Sequence, residues 1–189
     1  MQLSKSNQVL MLVSMVMMAA ASRLLPHPPN FSPVAAMALF GAAYFRQSWM
    51  AWLVPFAGLY LSDLVLNNVV YAQAGAGFSF GIYWVVYLAF GAILLLGFLS
   101  LRGRKLDLGR LLGVGLGATL LFFLLTNFWS WYADPFQTYP DNAAGLLACY
   151  VAGLPFLLNS LLGNLFFGAL LFGGAHALDI VPAAQRAYA

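Results

Sequence analysis

The chain has 189 residues, 63% of them hydrophobic and 7% charged, with no Glu and a formal net charge of +3. Soluble domains run at about a quarter charged, so this chain cannot cover itself with a water-facing surface, and soluble enzymes and soluble binding modules are set aside. A mean hydropathy of +0.86 points to an integral membrane protein with a single transmembrane domain, residues 1–189, and no room for an attached soluble domain.

The strongest apolar runs are continuous rather than alternating, which favours helices over a barrel. A hydrocarbon core of roughly 30 Å sets the length of each crossing. The first helix is expected over about 8–25. Lys5, an apolar core and "MAAAS" also fit a secretory signal, but the segment is read here as an uncleaved span. It runs into "RLLPHPPNFSPVAAMALFGAAY", where Arg23, His27 and Asn30 stand among Pro26, Pro28, Pro29 and Pro33. Proline fixes its own φ and disfavours helix in the residue before it, so this knot is a stiff cap and not a hinge.

The second helix, about 33–45, is short for a crossing; tilt, local thinning of the bilayer or shielding by neighbours would each accommodate it. The third, about 50–67, carries Asp63 and Asn67 one turn apart on a common face. The fourth, about 81–100, places Trp84 and Tyr87 in its first turns. The fifth, about 110–131, ends in Asn127, Trp129 and Trp131. Pro155 is expected to separate a short interfacial or re-entrant piece, 143–153, from the sixth helix, about 156–178, which carries Asn159 and Asn164. The expected fold is therefore all-α, a six-helix transmembrane bundle.

The loop "LRGRKLDLGR" orients this bundle. Arg102, Arg104, Lys105 and Arg110 mark it as cytoplasmic, and counting outward puts Lys5, Arg46 and Arg186 inside, with Arg23 outside. Both termini are then expected in the cytoplasm, and the proline knot on the outer face. Arg23, His27, Asn30, Asp63, Asn67, Trp84, Tyr87, Asn127, Trp131, Asn159 and Asn164 all fall at the outer level. Intramembrane polar groups tend to face the bundle interior or a wet cavity, so these residues are the expected lining of an outward-facing ligand pocket. An aromatic belt accounts for the Trp and Tyr residues without a ligand, and an Arg23–Asp63 ion pair is the simplest structural role for those two.

Soluble-enzyme constellations are absent: there is no phosphate-cradling Gly loop, no HExxH and no CxxC. Catalytic residues are therefore not assigned, and nothing points to nucleic acid. Cys149 is read either as a buried, inert thiol or as a soft ligand for a cobalt or copper centre. Small-xxx-small pairs recur at Ala38 and Ala42, Gly113 and Gly117, and Ala169 and Gly173, where helices can approach closely.

The segments "RLLPHPPNFSPVAAMALFGAAYF", "YWVVYLAFGAILLLG" and "GLLACYVAGLPFLLNSLLGNLFFGALLFG" resemble an uncharacterised bacterial family assigned to membrane transport. That family is in turn similar to the substrate-binding S-components of energy-coupling-factor (ECF) vitamin transporters, which include solitary cobalamin-uptake relatives. The resemblance implies uptake of a vitamin-like molecule, possible cobalamin included, with the bound vitamin as transported ligand and no intrinsic cofactor. It also implies lids at the proline knot and at "NNVVYAQAGAGFSFG", the latter moving on Gly75, Gly77 and Gly81. S-components meet an energy-coupling subunit and its ATPases through small residues on the cytoplasmic half of the first helix, which this chain lacks there. Docking through Ala38 and Ala42, or action without a coupling subunit, remain the two expectations. A membrane enzyme acting on a hydrophobic or corrinoid substrate and a structural subunit of a membrane complex are the alternative classes.

Overall fold

The computed structural model describes residues 4–72 and 77–180. Among them are six helices and no strand: α1 (Lys5–Ser22), α2 (Val34–Tyr44), α3 (Ser48–Val65), α4 (Trp84–Ser100), α5 (Leu108–Tyr132) and α6 (Ala143–Gly168). A π-helical turn, Leu66–Val70, extends α3; a second, Ala169–Gly173, carries α6 into a last helical turn, Gly174–Ala177. With those continuations α3, α5 and α6 are each long and apolar enough to cross a membrane. Arg186 and Gly75 lie outside the described residues.

Local chemistry starts these helices where the chain needs them. Ser4 caps α1 by accepting from the Asn7 N–H at 3.2 Å, and Asn142 caps α6 through the Gly145 N–H at 3.0 Å. Asp107 caps α5 by accepting from the Arg110 N–H at 2.9 Å, and that backbone donor holds its carboxyl below the ordinary value. Pro33 stands at the N-cap of α2, where a missing N–H costs nothing.

The expected break at Pro155 is corrected. Pro155 lies inside α6, and residues 143–153 are the first turns of that helix and not a separate interfacial piece. Proline removes one hydrogen bond from a helix, whereas ending the helix would free several backbone groups in a medium that offers no partners. Close packing holds the continuous form. A Cβ added at Gly153 would fall 2.5 Å from Asn127 Oδ1 and 2.9 Å from Phe123 on α5. Pro55 is accommodated inside α3 in the same way.

The shortness of α2 has a structural answer, which is shielding. Ten of its eleven residues are buried, and it packs against all five other helices. Gly41 meets Pro55 and Ala51 on α3, and Gly97 of α4 meets Ala42 and Leu39. Ala38 and Ala42 are wholly buried in these contacts, so they are closed to a coupling subunit. A helix surrounded by protein does not have to match the bilayer.

Side-chain contacts sort the loops into two ends. Arg102 donates to the Arg46 carbonyl at 2.6 Å, which joins the 45–47 and 101–107 turns. At the opposite end Arg23 pairs with Asp63, Asp63 accepts from Tyr87, and Trp84 packs on Trp129 with ring centroids 4.4 Å apart. The proline knot and the 133–142 loop therefore share that end.

Candidate functional site

The proline knot folds down onto the bundle and roofs a cavity. Phe31 N–H donates to the Pro28 carbonyl at 3.0 Å, with Pro29 and Asn30 between them and Asn30 at a φ of 64°. This is the arrangement of a type II turn, which requires a left-handed third residue that Asn tolerates. His27 Nδ1 lies 2.9 Å from the Pro28 carbonyl oxygen, which can only accept, so the ring donates to it through Nδ1. The knot is then fastened to α6. Asn159 donates to the Pro29 carbonyl at 2.9 Å, and Phe31 packs on Phe166 and Phe167 at 5.7 and 5.8 Å. Gly163 lets the backbone of Ser32 come so close that an added Cβ would fall 2.7 Å from its nitrogen.

Beneath this roof is a cavity of about 430 Å³. Its polar lining comes from Arg23, His27, Asn30, Ser32, Tyr71, Thr119 and Ser160, and its apolar lining includes Val34, Ala35, Leu66, Val86 and Phe122. The buried Ser32 hydroxyl finds no hydrogen-bond partner among the described residues.

Arg23 is held in place from below. Its guanidinium lies 2.7 Å from Asp63 Oδ1 and donates to the Leu59 carbonyl at 3.2 Å and to the Ser62 hydroxyl. Tyr87 donates to Asp63 Oδ2 at 2.7 Å. The pair ties α1, α3 and α4 together, so the ion-pair reading of Arg23 and Asp63 is correct, and Arg23 reaches the cavity as well.

Other expected site residues are engaged elsewhere. Asn67 donates to the Gly81 carbonyl at 3.1 Å, and Asn68 both donates to and accepts from Ser79 at 2.7 and 2.6 Å. These bonds tie Ser79 and Gly81 to the end of the π-helical turn that extends α3. Asn127 donates to Phe123 within its own helix at 2.9 Å, and Trp131 donates to Pro140 at 3.0 Å. Cys149 donates its thiol to the Asn127 carbonyl at 3.5 Å and lines neither this cavity nor the one described next. Among the described residues no three His, Cys, Asp or Glu side chains are grouped to hold a metal.

Asn164 borders a second cavity, of about 580 Å³, toward the 101–107 end between α2, α5 and α6. It donates to the Gly115 carbonyl at 2.8 Å and to the Thr119 hydroxyl at 3.1 Å. The sequence did not single out Ser32, Tyr71, Thr119 and Ser160. Thr119 is the first polar side chain of α5 after Arg110 and carried the intramembrane-polar signal; Ser32 and Ser160 lacked one, since a hydroxyl satisfies itself on its own backbone in most helices and turns.

The sequence profile of a family described as "Family of unknown function (DUF6580)" matches residues 3–186. Neither a curated protein nor a solved structure matches the chain.

Proposed function

The chain belongs to the Family of unknown function (DUF6580), and from that premise we propose that it binds a small molecule beneath the proline knot and takes it up across the bacterial inner membrane. The observation that carries this reading is the cavity beneath the knot, with Arg23, His27, Asn30 and Ser32 in its lining. The volume of about 430 Å³ falls at the lower end of the usual range for small-molecule sites. The lining fits a ligand with one polar, hydrogen-bonding end against Arg23, His27, Asn30 and Ser32 and an apolar body against Val86 and Phe122. A vitamin-like heterocycle meets that description. A whole corrinoid is too large for the cavity as it stands, and Cys149 is not placed to reach its cobalt.

The bundle sits with the knot outside and the basic 101–107 turn in the cytoplasm, as the distribution of Arg and Lys favours. Since Ala38 and Ala42 are enclosed, uptake proceeds either alone or through a coupling subunit that meets another surface.

Mass spectrometry of small molecules retained by the purified protein tests the reading. Ser32→Ala and His27→Ala are expected to lose the retained molecule. Ser32→Ala should also leave the ligand-free protein as stable as the parent or more stable, because it removes an unmatched hydroxyl. Undiminished retention by both variants would exclude this cavity as the binding site.

A further inference from the structure

We infer that the two cavities are successive stations of one route along the α2–α5–α6 seam, and that the Asn164–Thr119 hydrogen bond is the gate between them. The inference rests on the proposed binding beneath the knot and extends it to a second site. On each of three helices, residues four apart line different cavities: Ala35 and Leu39 on α2, Thr119 and Gly115 on α5, Ser160 and Asn164 on α6. Four residues are about 6 Å of helix, so a single layer of side chains divides the two spaces. In that layer Thr119 is 2% and Asn164 7% exposed, and the bond between them is 3.1 Å.

The chemistry of the layer fits a partition that opens. A permanent seal between apolar helices is made most cheaply by Leu or Phe, which need no partner. Asn164 instead spends its amide on the Thr119 hydroxyl and the Gly115 carbonyl, and Thr119 returns its own proton to Gly115 at 3.0 Å. A polar passenger can replace one of these bonds with its own, so opening the layer does not strand a buried polar group. Both cavities also touch a π-helical turn: Leu66 lines the first, and Ala169, Phe172 and Gly173 line the second. Such turns carry a strained hydrogen-bond pattern and recur at functional sites.

The test needs no transported molecule. Cys149→Ser supplies a background without thiols, and Gly168→Cys places one in the second cavity, where an added Cβ meets nothing within 4 Å. A Phe136→Cys protein, substituted at a residue 87% exposed, identifies by its labelling the membrane preparation that presents the knot side. The probe is ethyl-trimethylammonium methanethiosulfonate, a cationic thiol reagent that does not cross bilayers. The Gly168→Cys protein is expected to react from the 101–107 side and to resist reagent added from the knot side. Adding Asn164→Ala should make the two sides react at similar rates, whereas Asn164→Leu, which refills the layer, should keep the knot side closed. The gate is overturned if the parent reacts equally from both sides, if it resists from both, or if Asn164→Ala leaves the knot side closed. Equal opening by Ala and Leu also overturns it, since that is general loosening. None of these results depends on retention of a ligand at Ser32, so the binding site and the gate fail separately.

Discussion

At the scale of single residues, two kinds of polar group are embedded in this apolar chain. Arg23 and Asp63 are satisfied, with side chains only 13% and 16% exposed and further bonds to Leu59, Ser62 and Tyr87. Among the described residues the Ser32 hydroxyl finds no partner. The contrast predicts opposite responses to mutation. Arg23→Met leaves a largely buried carboxylate with Tyr87 as its remaining bonded partner and should destabilise by about 3–5 kcal/mol. Asp63→Asn keeps a hydrogen-bonding partner for both neighbours and should cost less. The double variant Arg23→Met/Asp63→Leu should be more stable than Arg23→Met alone, because the stranded charge goes with it. Denaturant unfolding in detergent measures all three. A double variant less stable than Arg23→Met alone would show that the two side chains do not act as a pair.

At the scale of elements, the position of the knot depends on α6 more than on the prolines. Pro29 and Asn30 set the turn, but Asn159, Gly163 and the two Phe rings decide where it lands. Gly163→Ala is therefore expected to lift the Ser32 backbone, which cannot move as a flexible side chain would. Overpacking of this kind costs about 1–3 kcal/mol, and loss of the retained small molecule should accompany it. Gly113→Ala is the matched control, since an added Cβ there meets nothing within 4 Å; a helical Gly→Ala exchange at an open site raises stability by about 0.4–1 kcal/mol. Melting curves of the two variants should shift in opposite directions. A Gly163→Ala protein with parental stability and parental ligand content would remove α6 as the seat of the knot.

At the scale of the whole molecule, the two ends differ in charge. The Arg46 and Arg102 turns meet at one end, and the knot and the Asp134 loop at the other. The orientation with the basic end in the cytoplasm predicts that Phe136→Cys is labelled by an impermeant maleimide in intact cells and Lys105→Cys is not. Lys105 serves better than Gly103, whose φ of 68° makes substitution strained. Labelling of position 105 from outside would invert the bundle and turn uptake into release.

Composition and the lengths of the apolar runs were enough to make the described residues helical, with helices apolar enough to cross a membrane, because lipid leaves the backbone no alternative but to satisfy itself within each segment. The proline knot could also be read as stiff from its residues alone, since φ of proline is a local property. What each polar side chain faces was not legible. Asp63, Asn67, Asn127 and Asn159 share a level with the knot, yet each side chain spends its bonds on a neighbour. Periodicity reports which turn a residue occupies, not what faces it across a helix pair. The continuity of α6 through Pro155 and the burial of α2 were decided in the same way, by contacts such as Gly153 on Asn127 and Gly97 on Ala42. A proline ends a helix by its local preference, and a short apolar helix fails to span by its local length. Tertiary packing overrode both, because in this bundle the neighbouring helices, and not the solvent, are the surroundings that each residue answers to.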